Sequence, residues 1–293
     1  MRTRRRSAFF LTLAAALAVG VITFPASAAA APPVVPTCTP TSPPGSKSCV
    51  RLKVTGMGTV GATAPAGVQA GFEPIRLGFR TRALFSPATS EWNTVILRFD
   101  DDITVNLASV PGTCPASSLA GDTIATAWVD CGPGAGGVNT YLSTALGPNV
   151  SGVASTTNGQ IDACTMLFKG ANNNQILLYL RMPIGSPSTE CNNPATNTGG
   201  SVTVVLTGTL SNLPAASPYG KQLTVPNVSV VAPQVDDFYA SVQRGATFQA
   251  RCPAGQDPHL LQGTFSYTAA GDATDTISPS YPGTFDGCSP TTP

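Results

Sequence analysis

The chain has 293 residues, with 16 Lys and Arg against 15 Asp and Glu, and one histidine. Only 11% of it is charged, against roughly 25% in an ordinary soluble domain, and it holds 29 glycines and 27 prolines. A near-neutral balance gives no long-range attraction for a polyanion, so nucleic acid is excluded as a main partner, and one histidine excludes a histidine-rich metal site.

The first 28 residues read as a signal peptide. Arg2, Arg4, Arg5 and Arg6 form a basic head, Ala8 to Phe24 is an uncharged apolar run, and Pro25-Ala26-Ser27-Ala28 ends it with small residues suited to cleavage. The run is short and alanine-rich, so removal is expected rather than a membrane anchor, and no span is expected in the mature chain. Removal leaves twelve basic against fifteen acidic residues, a net charge near −3. The expected location is secreted or extracellular, with the protein either released or held at the cell envelope by non-covalent contacts.

Residues 29–47 are rich in Ala, Pro and Thr and read as a flexible leader. A single β domain is expected over 48–293, and the glycine cluster 132–137 is where it could divide. Ser48 to Thr55 alternates, with Val50, Leu52 and Val54 on one face. Ile75 to Leu84 does the same: Ile75, Leu77 and Phe79 share one face, and Arg76, Arg80 and Arg82 the other, because strand side chains alternate. Trp92 to Phe99 is a strand closed by Asp100-Asp101-Asp102, and Ile103 to Leu107 alternates again. Asp122 to Cys131, Val138 to Leu146 and Ile161 to Lys169 read as strands. Gln175 to Met182 reads as a short central strand, although its leucines would also suit two helical turns. Ser201 to Leu210 is β-branched and extended. Lys221 to Val231 is expected at a sheet edge, since Pro226 cannot donate to a ladder. Val235 to Cys252 carries two strands, or one bent one, broken at Gly245, and Leu260 to Tyr267 opens a terminal hairpin. No sustained helical period stands out beyond the signal peptide. Many short strands with turns between them predict an all-β, antiparallel sandwich, immunoglobulin-like or jelly-roll-like.

Eight cysteines behind a signal peptide predict disulfides before metal. Their spacing suggests four local pairs: Cys38–Cys49, Cys114–Cys131, Cys164–Cys191 and Cys252–Cys288.

From Trp92 onward the layout resembles a group of uncharacterised exported β-rich proteins of actinobacteria. The resemblance rests on Cys114-Pro115, Cys131-Gly132-Pro133-Gly134, Gly208-Thr209-Leu210, Leu223-Thr224-Val225-Pro226, and a terminal module of Cys252-Pro253, Phe265-Ser266-Tyr267 and Cys288. It covers roughly two thirds of the chain. This chain departs from the group in its longer last turn, Thr268 to Asp272. The resemblance implies export and a β fold, and it implies no activity.

Candidate chemistry is sparse, and no catalytic residue is assigned. Acyl transfer needs a base, and the only histidine, His259, reads as a loop residue beside Cys252. Glycoside hydrolysis needs paired carboxylates, whereas adjacent Asp236 and Asp237 on a strand point to opposite faces. Asp100, Asp101 and Asp102 could ligate Ca²⁺ but lack the spaced ligand pattern, and read first as a solvated turn. Arg76, Arg80 and Arg82 either pair across strands with acidic residues such as Asp100 or grip an anionic polymer. The loops Asn172-Asn173-Asn174 and Asn192-Asn193 suit turns and could bond sugars. No cofactor is expected. The leading expectation is a non-catalytic extracellular or envelope protein that binds a glycan, a wall polymer or a protein. The alternatives are an extracellular polysaccharide hydrolase and a purely structural surface protein.

Overall fold

The computed structural model describes residues 47–55, 71–84, 91–132, 140–142, 152–155, 162–183, 201–231, 235–243, 245–251, 259–268 and 275–277. The expected signal peptide and leader, most of the glycine cluster 132–137, Asn192-Asn193 and Cys38, Cys191, Cys252 and Cys288 lie outside these.

The fold is all-β, antiparallel and sandwich-like. Its strands are β1 (Lys47–Thr55), β2 (Glu73–Pro74), β3 (Arg76–Leu84), β4 (Trp92–Asp100), β5 (Ile103–Val105), β6 (Gly152–Ser155) and β7 (Asp162–Lys169). They continue as β8 (Gln175–Pro183), β9 (Ser201–Asn212), β10 (Tyr219–Pro226), β11 (Asp237–Gln243), β12 (Phe248–Ala250), β13 (Leu261–Tyr267) and β14 (Asp275–Ile277). Eleven strands form one sheet in the order β1-β3-β11-β6-β7-β8-β9-β10-β4-β13-β14, and β2-β12-β5 form a small second sheet.

The long sheet curls until its ends meet. β1 and β14 are the two ends of the order, yet their Cα atoms approach within 8 Å, as do those of β1 and β13. Buried Ser48 fastens the junction: its Oγ accepts from Trp92 Nε1 at 2.7 Å and from the Tyr267 hydroxyl at 2.9 Å. Gly263 permits the approach, because a Cβ there would lie 2.7 Å from Val50 Cγ1.

Alternation explains which side chains fill the interior. Leu223, Leu97 and Gly263 are in register across β10, β4 and β13, as are Val225, Val95 and Phe265, and all six are buried. The intervening row is polar: Arg98 donates to Gln222 Oε1 at 2.9 Å and to Gln262 Oε1 at 2.8 Å. On β3, Leu77 and Phe79 are buried while Arg80 and Arg82 are partly exposed, as the sequence predicts.

β8 is central, between β7 and β9, and apolar on both faces for a reason. Leu178 and Leu180 face the main core, whereas Leu177 and Tyr179 face a second cluster with Met166 and Phe168 of β7. A cap covers that outer face. It holds a 3-10 turn at Ala116–Leu119, helix α1 (Ile124–Asp130) and the disulfide Cys114–Cys131. This pairing matches expectation. Cys49 and Cys164 are also disulfide-bonded.

α1 corrects the expected strand over 122–131. Thr123 caps it: its Oγ1 accepts from Thr126 N at 3.1 Å, and Thr126 Oγ1 accepts from Thr123 N at 2.8 Å. Ile124, Ala127, Trp128 and Cys131 are then spaced as one helical face, turned onto the second cluster. In the expected strand 138–146 the described residues 140–142 form a single bridge, Tyr141 with Phe168. β10 is a second correction. It lies inside the sheet between β9 and β4, and Pro226 is its last residue, beyond the β9 pairing that ends at Thr224. Asn227, at φ 57°, turns the chain into the helical turn α2 (Val228–Val231). The break at Gly245, at φ +37°, separates β11 from β12 as expected. The terminal hairpin pairs β13 with β14.

The cap is locked through one carbonyl. Asp122 O accepts from the Tyr179 hydroxyl at 2.6 Å, Arg181 Nη1 at 2.8 Å and Thr203 Oγ1 at 2.9 Å. Burial pushes the Tyr179 phenol from 10.0 up to about 12. A native group that holds its proton more tightly than the unfolded one stabilises the fold below pH 10.0, and that contribution is lost as pH rises through about 12. Phenolate absorbance should therefore show Tyr179 still largely protonated at pH 11, and Tyr179→Phe should reduce the amplitude that appears above pH 11. A Tyr179→Phe curve identical to that of the wild type would contradict this.

Candidate functional site

The acidic corner binds the protein to itself. The Asp100, Asp101 and Asp102 carboxylates converge within 4.8 Å, and Asp100 and Asp102 are buried. Asp100 Oδ1 accepts from Asp102 N at 2.9 Å and Oδ2 from Leu260 N at 2.7 Å. Asp102 Oδ1 accepts from Arg251 Nε at 2.5 Å. Burial pushes the Asp100 carboxyl above the usual carboxylate range, against the opposing pull of the Asp102 and Leu260 N–H donors. These contacts tie the end of β4 to the starts of β5 and β13. The corner is thus largely buried, where the sequence suggested a solvated turn. Buried His259 joins the same junction through Nε2 and Arg251 O at 2.9 Å.

The arginine stripe is also engaged. Arg80 holds Asp237 with both arms of its fork, Nε–Oδ1 at 2.7 Å and Nη2–Oδ2 at 2.5 Å. The acidic partner of Arg80 is thus on β11, not in the Asp100 run. Arg76 and Arg82 also have interaction partners.

A polar cleft opens where the β7–β8 turn, the end of β5 and the β9–β10 pair meet. Asn106, Asn173, Asn174, Asn212 and Lys221 give its polar lining, and Val105, Leu107 and Leu210 are among its apolar walls. Its volume is about 340 Å³, counted as room for the centre of a water molecule. Local bonds fix its rim. Asn172 Oδ1 accepts from Asn174 N at 3.2 Å, and Asn174 O accepts from Leu210 N at 2.7 Å, which pins the turn to β9. Asn106 N donates to Thr247 O at 2.8 Å, and Asn106 O accepts from Ser109 N at 3.2 Å. Asn212 and Lys221 are register partners, and Lys221 Nζ donates to Asn212 Oδ1. Asn106, Asn173, Asn174 and Asn212 are all exposed. No acidic residue is among the described residues that line the cleft.

Behind the cleft lies an apolar chamber inside the curled sheet. Leu77, Phe79, Trp92, Leu178, Val225 and Phe238 are among its walls, and Thr81 is the one polar residue among the described residues that line it. It offers about 70 Å³ by the same measure. Val105 and Leu210 line both spaces.

The sequence marked Asn172-Asn173-Asn174 as able to bond sugars, and the structure puts Asn173 and Asn174 in the cleft. It missed Asn106, Asn212 and Lys221, which join only through strand register. The one available signal was an asparagine just past each of two strands' apolar residues. No helix among the described residues is long and apolar enough to cross a membrane. No family model, curated protein or solved structure matches the chain.

Proposed function

We propose that this is an exported, non-catalytic protein of the extracellular space or cell envelope that binds a glycan in the asparagine cleft. The supporting observation is the lining itself: four exposed asparagines and one lysine around about 340 Å³. Each amide offers both donors and an acceptor, matching sugar hydroxyls that do both. Hydrolysis of a glycosidic bond uses two carboxylates flanking it, and the cleft lining supplies amides instead.

Asn106→Ala and Asn173→Ala test the reading without threatening the fold, since both side chains are exposed. One hydrogen bond contributes about 0.5–1.5 kcal/mol net, so each variant should weaken retention on envelope polysaccharide by about twofold to tenfold. Co-sedimentation of the mature protein with such polysaccharide measures it. Retention that is equal for both variants and the wild type would reject the cleft as the binding site.

A further inference from the structure

The chamber is unusual for a core. Protein interiors pack as densely as organic crystals, with few voids larger than a water. One water needs only about 10–15 Å³ of such room, and the chamber has about 70 Å³. Water would find few partners there, because Thr81 is the only polar residue among the described residues of the lining. Its walls are aliphatic and aromatic, and unfilled space against such walls forfeits dispersion contacts. A slender hydrocarbon restores them.

The position of the chamber adds the second half of the ligand. Val105 and Leu210 line both spaces, so the polar cleft and the apolar chamber adjoin across these two side chains. Val105 is the last residue of β5, and Asn106 follows it directly into the cleft. On β9, Leu210 is buried and Asn212, two residues on, is exposed at the cleft. Polar and apolar recognition thus change over within one or two residues on two separate strands.

We propose that cleft and chamber form one site for an amphiphile: a glycoside whose sugar lies among Asn106, Asn173 and Asn212 and whose single alkyl or acyl chain passes Val105 and Leu210 into the chamber. This rests on the carbohydrate reading of the cleft and specifies its ligand class.

The two tryptophans make the test direct. Trp92 lines the chamber, whereas Trp128 packs in the cap against Tyr141. A Trp128→Phe protein therefore reports from the chamber alone. It would be titrated with methyl, hexyl, heptyl and octyl β-glucoside, and with hexanol and octanol, all below micelle formation, following Trp92 emission and heat. Affinity should rise about fourfold per added methylene once the chain enters, the factor for one buried CH₂. Trp92 emission should change with the longer chains and not with methyl glucoside. Asn106→Ala should weaken octyl glucoside and leave octanol unchanged. Leu178→Phe, which fills the chamber, should abolish the chain-length gain, and the series on otherwise unaltered protein decides the matter if that variant folds poorly. Affinity that is flat with chain length in both glucosides and alcohols overturns the proposal, and the carbohydrate reading then stands or falls on polysaccharide retention alone. Equal affinity for octyl glucoside and octanol, with Asn106→Ala affecting neither, overturns the proposal together with the carbohydrate reading.

Discussion

Gly263→Val should destabilise the protein by about 3 kcal/mol, at the upper end of the usual cost of overpacking a core. The reason is the meeting of the sheet's two ends. A Cβ at 263 would lie 2.6 Å from Phe265 Cε2 and 2.7 Å from Val50 Cγ1, and all three residues are buried. Val50 belongs to the first strand of the sheet order and Gly263 to the last but one. Housing the new methyls means displacing the Phe265 ring and pushing Val50 away, and the latter also strains the Trp92–Ser48 and Tyr267–Ser48 hydrogen bonds. Val50→Ala should relieve part of the cost of Gly263→Val, a coupling that a double-mutant cycle in urea would resolve. A Gly263→Val protein of unaltered stability would mean that the ends do not meet in solution.

Breaking Cys114–Cys131, by replacing both cysteines with alanine, should cost about 3 kcal/mol on the loop-entropy model, for a sequence separation of 17. The bond closes the cap over the outer face of β7 and β8. Without it, Phe168, Leu177 and Tyr179 lose a lid that α1 alone is too short to hold, because seven residues make a marginal helix. Thermal unfolding should shift down, and Trp128 should redden as its contact with Tyr141, at 4.9 Å between ring centres, loosens. Loss of stability with Trp128 emission unchanged would place the effect outside the cap.

Much of the fold was legible because strand burial follows a period of two. Leu77 and Phe79 against Arg80 and Arg82 needed no more than that rule. β8 was legible as a central strand because an unbroken apolar run fits a strand covered on both faces, here by the main core and by the cap. α1 was missed although Ile124, Ala127, Trp128 and Cys131 carry the helical spacing. The segment is short, and its cap uses Thr126 where glutamate or glutamine is the usual signal. β10 was misplaced because Pro226 was weighed without knowing where the ladder stops. Of the site, the asparagine turn was visible as a turn. Asn106, Asn212 and Lys221 come from separate strands, so only the register brings them together. The chamber left no trace in the sequence, since a void depends on how side chains fit and not on their pattern. The arginine stripe and the acidic corner were conspicuous in the sequence, yet Arg80 and Asp102 are engaged within the fold by Asp237 and Arg251.

The central claim is that binding resides in the amide cleft and not in the charged clusters. The direct measurement is retention of the mature protein on envelope polysaccharide across a salt series, with and without a chelator. Hydrogen bonding by neutral amides predicts retention nearly independent of salt, unaffected by chelation and weakened by Asn106→Ala. Retention that falls steeply with salt and ignores Asn106→Ala would contradict it in favour of Arg76 and Arg82, and loss on chelation would contradict it in favour of a cation at Asp100 to Asp102.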